Sequence, residues 1–211
     1  MATLSYIAVI GAAYLLGSIP TGYLAAKARG IDIRTVGSGN IGATNAFRVL
    51  GKGFGVLVLV VDGLKGYTAC AWLCDLLGGL LGVTGPDLEL HRVLAGIAVV
   101  LGHNYTCWLG FKGGKGIATS AGAYFALAPL AAGIAVAAWL IALAATRFVS
   151  VASIASAIAL PAAVWCTQRS ILLGCVTSAL GVLAIAKHRG NIRRLLQGTE
   201  PRLGRRKEVA S

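Results

Sequence analysis

Acidic residues are scarce in this 211-residue sequence, in which seven Asp and Glu stand against nineteen Lys and Arg, for a formal net charge of +12. Charged residues of both signs make up only 12% of the chain, whereas 57% is hydrophobic and the mean hydropathy is +0.79. A soluble domain of this length needs more charge, so the composition indicates folding in a bilayer. The hydropathy also argues against nucleic acid as a partner, which leaves anionic lipid or an anionic substrate.

Cysteine pairs are missing as well. The five cysteines form no Cys-x-x-Cys motif, their number is odd, and they lie in or beside apolar segments, at Cys70, Cys74, Cys107, Cys166 and Cys175. This pattern argues against a disulfide framework or a zinc site. We predict reduced, buried thiols that pack as small hydrophobic side chains, and we expect neither a metal nor a cofactor.

Positive charge is absent ahead of the first apolar run, which begins at Leu4. The later sequence Ala26-Lys27-Ala28 has the form of a signal-peptide cleavage site, but a signal peptide begins with a positively charged region. We therefore predict that the first run is retained as a membrane span.

Long apolar runs are abundant, and seven are candidate membrane helices, at about 4–26, 53–77, 90–109, 117–130, 131–146, 149–166 and 170–186. A span needs roughly 20 apolar residues, so the chain has room for about seven. The predicted fold is an all-α, polytopic integral membrane protein with one domain over 1–211 and a basic C-terminal segment from about 187. The fourth and fifth runs meet at Pro129-Leu130, which leaves a six-span or re-entrant arrangement open.

Basic residues are distributed very unevenly among the connecting segments. With the N-terminus outside, the inner segments hold sixteen of the nineteen Lys and Arg, namely Lys27, Arg29, Arg34, Arg48, Lys52, Lys112, Lys115, Arg147 and the eight basic residues of 187–207. The outer segments keep only Arg92 and Arg169, and Lys65 falls inside a span. The positive-inside rule therefore predicts an external N-terminus and a cytoplasmic C-terminus.

The first inner segment, 37–52, combines glycines with side-chain donors, the candidates being Ser38, Asn40, Thr44, Asn45 and Arg48. Glycine lets backbone N–H groups turn toward an anion, and hydroxyl, amide and guanidinium groups suit phosphate. A flexible polar loop with glycine turns would have the same composition, so the residues alone leave both interpretations open.

The second inner segment contains Lys112-Gly113-Gly114-Lys115-Gly116 directly before an apolar run. At the start of a helix, unpaired N–H groups and the positive end of the helix dipole both favour an anion, so we expect this loop to bind phosphate. It is not a Walker A loop, because Gly116 and not Ser or Thr follows Lys115. Lysines that merely anchor a span at the interface are the alternative.

The third inner segment follows the last run. Helical spacing places His188 and Asn191 on one face, and Arg189 and Arg193 on another. A basic helix that binds anionic lipid would explain the arginines, whereas His188 and Asn191 are less expected for lipid contact alone.

Two charged residues lie within the second run, Asp62 and Lys65, three residues apart on one helical face. Charge at that depth is costly unless it is paired, so we predict an intramembrane ion pair that supports the fold, with a direct substrate role as the second possibility.

The chain resembles the bacterial acyl-phosphate-dependent glycerol-3-phosphate acyltransferases, the PlsY family, over nearly its whole length. The resemblance rests on four stretches, at 17–22 (Gly-Ser-Ile-Pro-Thr-Gly), 37–48, 111–116 (Phe-Lys-Gly-Gly-Lys-Gly) and 188–192 with 198–200. It implies a seven-helix membrane enzyme that transfers a fatty acyl group from acyl phosphate to glycerol-3-phosphate at the cytoplasmic face. The products are 1-acyl-glycerol-3-phosphate and phosphate, and this is the first step of phospholipid synthesis.

The resemblance also implies residue roles. Ser38 and Arg48 are expected in the active site, and His188 with Asn191 near the glycerol-3-phosphate. Lys115 is expected in the phosphate-binding loop with Lys112, Gly113, Gly114 and Gly116, while Asn40, Thr44 and Asn45 accompany Ser38 as substrate contacts. Glu200 is expected to be a structural partner.

The sequence lacks the His-x4-Asp pair of other glycerolipid acyltransferases, since Gly96, Trp108 and Arg193 follow its three histidines at that spacing. The attacking hydroxyl must then lose its proton to His188 or to a phosphate oxygen of a substrate, and we favour the phosphate. A transporter or channel for a phosphorylated anion is the alternative function.

Overall fold

A computed structural model describes residues 2–204 of the chain. Within that range the fold is helical without any strand. The eleven α-helices found there are α1 (Ala2–Ser18), α2 (Thr21–Lys27), α3 (Ala43–Leu50), α4 (Lys52–Thr68), α5 (Cys74–Leu81), α6 (Pro86–Asn104), α7 (Ile117–Leu127), α8 (Pro129–Thr146), α9 (Val149–Thr167), α10 (Ile171–Lys187) and α11 (Arg189–Leu196). A π-helical turn, Ala69–Leu73, joins α4 to α5, and a 3-10 turn, Cys107–Leu109, follows α6. The predicted all-α fold class is confirmed.

The chain divides into two compact units, Met1–Pro129 and Leu130–Ser211. The first contains α1 to α7 and the second α8 to α11, and each has its own buried residues. A single membrane domain over the whole chain therefore stays a prediction. Of the eight basic residues predicted for the C-terminal segment, Arg205, Arg206 and Lys207 lie outside the described residues.

Four helical stretches of the described chain are long and apolar enough to cross a membrane, at Thr3–Lys27, Lys52–Leu81, Pro129–Thr146 and Val149–Thr167. A fifth arises if α10 and α11, which bend by 52° at His188, are counted as one span. Two further predicted spans are not long or apolar enough to be counted among these. Helix α6 carries the charged residues Asp87, Glu89 and Arg92, and α7 has only 11 residues. The count of seven spans remains a prediction.

Helix packing in the first unit depends on glycine. A Cβ on Gly17 of α1 would overlap the carbonyl oxygen of Val99 in α6, and a Cβ on Gly102 of α6 would overlap that of Tyr14. Small residues let two backbones approach this closely, which is how membrane helices gain packing energy without a hydrophobic driving force between them. The contact brings the C-terminal end of α6 against α1.

Only part of the cysteine prediction is right. All five thiols are free, and Cys70 and Cys74 are buried between helices of the first unit, but Cys166 and Cys175 are exposed on α9 and α10. Thiols tolerate such a position because an apolar side chain on the outer face of a membrane helix meets lipid rather than water.

Candidate functional site

The segment between α2 and α3 is organised by one buried amide. Asn45, in the first turn of α3, is 1% exposed. Its Nδ2 donates to the carbonyl oxygens of Ile33 (3.2 Å) and Val36 (3.1 Å), and its Oδ1 accepts from the backbone N–H of Ser38 (2.9 Å). The amide uses both donors and its oxygen inside the protein. Asn45 therefore shapes this loop, and its predicted contact with substrate stays a prediction.

Asn40 also stabilises this loop, because its Oδ1 accepts a hydrogen bond from the N–H of Gly42 (2.9 Å) just before α3 begins. Two of the predicted site residues of this segment are exposed, Ser38 in the loop and Arg48 in the last turn of α3. Thr44 is half-buried in the first turn. The helix α3 itself was not predicted, since its eight residues are too short to show a clear periodicity.

The glycine-rich loop, residues 112–116, packs against the C-terminal end of α6. The N–H of Gly114 donates to the carbonyl oxygen of His103 (2.9 Å), and that of Gly113 to the oxygen of Asn104 (3.2 Å). These carbonyls at a helix end would otherwise lack partners. Both N–H groups thus fasten the loop to α6, and phosphate binding by this loop stays a prediction.

Donors for an anion remain at the next turn. Gly116 adopts φ +81° and caps α7, whose first intrahelical bond runs from Ser120 N–H to Gly116 O (2.7 Å). The N–H groups of Ile117 and Ala118 precede that bond and point out of the helix end, where the dipole favours negative charge. Lys115 is half-buried beside them, whereas Lys112 is exposed.

The predicted ion pair is present inside the first unit. Lys65 Nζ lies 2.9 Å from Asp62 Oδ1, and both side chains are 4% exposed. Thr21 Oγ1 donates to the same carboxylate oxygen (3.1 Å), and Lys65 Nζ donates to the carbonyl oxygen of Ile19 (3.1 Å). Asp62 also faces Nδ1 of the buried His103, at 3.7 Å. His103 was not among the predicted site residues, and only its position directly after the packing glycine Gly102 could have indicated it.

The third predicted group lies in the second unit, where α10 bends into α11. His188 is 3% exposed, and its Nδ1 lies 2.8 Å from the carbonyl oxygen of Ala184. A carbonyl oxygen can only accept, so Nδ1 carries the proton, and in the neutral ring Nε2 is an acceptor. This bond orients the imidazole.

Glu200 binds its neighbours as a structural partner would. Asn191 Nδ2 donates to Oε1 and Arg194 Nε donates to Oε2, each at 2.7 Å. Burial raises the pKa of Glu200, but the hydrogen bonds from Asn191 and Arg194 outweigh it and leave that pKa below the ordinary value. The carboxylate thus stays charged and ties the chain after α11 back to that helix.

Each unit brings some of the predicted residues together. In the first unit Ser38 and Asn40 share a loop that Asn45 of α3 holds, and the glycine-rich loop meets the end of α6. In the second unit His188, Asn191 and Glu200 lie around α11. Across the described range, residues 2–204, no three His, Cys, Asp or Glu side chains cluster closely enough to hold a metal ion.

Comparison with known proteins identifies the family. The family model described as glycerol-3-phosphate acyltransferase matches residues 7–198. A glycerol-3-phosphate acyltransferase of Geobacter metallireducens is 50% identical over 197 residues, 93% of this chain and 96% of the relative. One from Synechococcus sp. strain JA-2-3B'a(2-13) is 47% identical over 201 residues, 95% of each chain.

Two crystal structures of the integral membrane glycerol 3-phosphate acyltransferase PlsY share the fold. Its glycerol 3-phosphate form is 40% identical, with a TM-score of 0.84 over 95% of this chain and 96% of that one. Its lysophosphatidic acid form is 39% identical, with a TM-score of 0.79 over 96% and 95%. This chain belongs to the glycerol-3-phosphate acyltransferase family.

Proposed function

We propose that the protein transfers a fatty acyl group from acyl phosphate to the sn-1 hydroxyl of glycerol-3-phosphate, releasing 1-acyl-glycerol-3-phosphate and phosphate. Family membership supports glycerol-3-phosphate as the acceptor. The fold shared with PlsY, in its glycerol 3-phosphate and lysophosphatidic acid forms, supports both the acceptor and the product. The reaction would supply the first intermediate of phospholipid synthesis.

Acyl phosphate suits this protein as the donor because it needs little activation. It is a mixed anhydride with a phosphate leaving group, so an enzyme must mainly hold two anions together and stabilise the oxyanion that forms on the carbonyl. Cations and N–H donors do this work. The exposed Arg48, the half-buried Lys115 and the first turn of α7 offer such groups in the first unit.

The reaction balances without a base from the protein. The acceptor hydroxyl oxygen attacks the acyl carbon, the bond between that carbon and the phosphate oxygen breaks, and the hydroxyl proton passes to a phosphate oxygen of a substrate. Phosphate monoesters have a second pKa near 6, which makes such an oxygen a competent acceptor at neutral pH. His188, with Nδ1 donating to Ala184, can orient the hydroxyl by accepting at Nε2. This proton route and the roles of His188 and Asn191 are part of the proposal.

The same proposal locates the enzyme in the bacterial inner membrane with its active site at the cytoplasmic face. Sixteen of the nineteen Lys and Arg fall in the segments that the positive-inside rule assigns to that side. Both polar loops of the first unit and the α10–α11 bend belong to these segments. A soluble phosphorylated acceptor would reach them from the cytoplasm.

The alternative of a transporter for a phosphorylated anion has less support. A carrier needs its binding groups near the midplane of the membrane, whereas the phosphate-suited groups here lie at helix ends. The buried charges Asp62 and Lys65 are paired with each other.

The direct test is to incubate the purified, detergent-solubilised protein with acyl phosphate and glycerol-3-phosphate and to quantify lysophosphatidic acid and released phosphate. We expect the two products in equal amounts. Parallel incubations with acyl-CoA or acyl carrier protein as donor should give no product. Turnover with either of those donors, and none with acyl phosphate, would contradict the proposed donor while leaving the acceptor intact.

A further inference from the structure

A buried histidine separates the intramembrane ion pair from the glycine-rich loop. The Nδ1 of His103 faces Asp62 Oδ1 at 3.7 Å. Its Nε2 edge lies against the α-carbon of Gly114, so closely that a Cβ on that residue would overlap the ring. The residue is only 6% exposed. One imidazole therefore contacts both the carboxylate and the backbone of the loop.

The carboxylate is itself held in place from the break between α1 and α2. Thr21, at the start of α2, donates to Asp62 Oδ1 at 3.1 Å, and Lys65 bridges the same oxygen (2.9 Å) to the carbonyl of Ile19 (3.1 Å). That carbonyl lies where Pro20 interrupts the helix. The network thus connects three elements, α4, α6 and the α1–α2 break, at one point beneath the loop.

Stability alone is a poor reason for this arrangement. An ion pair in a low-dielectric interior loses in desolvation about what it gains in attraction, and a well-packed apolar pair is often as good. A network of directional hydrogen bonds differs in that it holds its members in one geometry. Ionisable residues within membrane spans accordingly mark function by default.

We propose that His103 is a positioning residue, which sets how closely the glycine-rich loop approaches the C-terminal end of α6. It thereby places Lys115 and the first turn of α7 for a substrate phosphate, so the inference rests on the proposed function of that loop. On this proposal, position 114 needs glycine because of the side of the loop that faces α6. The glycine makes room for the imidazole, and the access of an anion from outside does not require it.

A double-mutant cycle separates these two reasons. Gly114→Ala should raise KM for glycerol-3-phosphate more than it lowers kcat, since the Cβ pushes the loop off the ring without touching the acceptor's hydroxyl. His103→Ala removes the overlapping atoms. If the two substitutions acted independently, their losses in kcat/KM would multiply. We expect the double variant to have a kcat/KM about tenfold higher than that independent value.

Gly113→Ala is the matched control. Its Cβ would overlap the carbonyl oxygen of His103 and the backbone of Asn104, which no side-chain truncation removes. Combined with His103→Ala it should show no rescue. Running both cycles also with His103→Asn, which shortens the side chain and keeps a donor for Asp62, protects the test against one unstable variant. The proposal would be overturned if the losses in kcat/KM from Gly114→Ala and from either His103 substitution multiply, to within about twofold, in the double variants.

A binding measurement makes the test of His103 independent of whether acyl phosphate is the donor. Calorimetric titration of glycerol-3-phosphate into the same variants should show the same coupling in Kd. A wild type that binds glycerol-3-phosphate yet fails to consume acyl phosphate would reject the proposed donor, and the coupling in Kd would still decide the role of His103. Replacing His91, a second buried histidine of α6 that contacts Ser5 (2.9 Å), should leave that Kd unchanged.

Discussion

Asn191 and Glu200 are joined side chain to side chain, with Asn191 Nδ2 donating to Glu200 Oε1 at 2.7 Å in a buried position. The eight residues between them include the end of α11 and the turn that follows it. The second carboxylate oxygen accepts from Arg194, so the whole turn is fastened by one side chain. A residue proposed to act on substrate, Asn191, thus depends for its orientation on a residue that is structural.

Glu200→Gln should lower the free energy of unfolding at pH 7 by about 1–3 kcal/mol, because the neutral amide loses the charge-assisted bond from Arg194. The pH dependence follows from the depressed pKa of Glu200. A carboxyl whose folded-state pKa lies below its unfolded value adds stability above the unfolded value, about 4.3, and loses it as the pH falls through the folded one. Thermal unfolding in detergent at pH 7 and at pH 3 measures both.

The control for Glu200 is Glu89→Gln, since Glu89 is an exposed carboxylate in the first turn of α6. It should change the unfolding midpoint by much less at either pH. A Glu200→Gln protein as stable as the wild type at pH 7 would show that the carboxylate charge does not hold the turn.

Asn45→Ala should lower kcat about tenfold or more, because the amide that holds Ser38 also fastens the loop carbonyls of Ile33 and Val36 to α3. Asn45→Asp keeps an acceptor for Ser38 but directs a carboxylate at two carbonyl oxygens, so it should be no better. Steady-state kinetics together with hydrogen exchange over residues 33–42 check the cause.

Asn40→Ala is the comparison for Asn45, since it removes only the bond to the N–H of Gly42. We expect Asn40→Ala to lose less activity than Asn45→Ala and to increase hydrogen exchange over residues 33–42 by less. If Asn45→Ala lowers activity with the exchange of the loop unchanged, Asn45 is a substrate contact after all.

Lys115→Ala should cost about 2 kcal/mol or more of transition-state stabilisation, because the half-buried ammonium lies at the start of α7, where we propose that a phosphate binds. Lys112→Ala removes an exposed charge from the same loop and should cost much less. The ratio of the two kcat/KM values is the measurement. Equal small effects would make both lysines interfacial anchors only.

His188→Gln should raise KM for glycerol-3-phosphate and leave the shape of the pH–rate profile unchanged, because we assign the proton to a substrate phosphate. The imidazole is oriented by its bond to the carbonyl of Ala184 and offers Nε2 as an acceptor. Rates from pH 5 to 9 in wild type and variant test this. A rising limb near the pKa of imidazole that His188→Gln abolishes, with KM unchanged, would make His188 the general base.

Reporter fusions at the two termini should report opposite sides of the membrane, with the C-terminus in the cytoplasm. The reason is the sixteen basic residues that the seven-run assignment places on one side. Both termini on the same side would require an even number of spans and would exclude that assignment. The break at Ala128 between α7 and α8 is where we would then revise it.

Much of the helical architecture could be read from hydropathy. The predicted runs 149–166 and 170–186 end within one residue of α9 and α10, because continuous apolar stretches bounded by polar residues leave little choice in a bilayer. Short elements were harder. Helix α3 was missed, and Pro20 ends α1 inside a run that reads as continuous, since hydropathy does not register a lost hydrogen bond.

The sequence by itself determined the bilayer as solvent, the pairing of Asp62 with Lys65, and the three polar segments to which we assign the proposed chemistry. These follow from composition and from spacing along one helix, where geometry is set by the helical repeat. Only the tertiary structure decided what each polar group does. Asn45 faces Ile33 and Val36, and the N–H groups of Gly113 and Gly114 face the end of α6, because contacts between distant segments depend on how helices pack, and no local pattern encodes that packing.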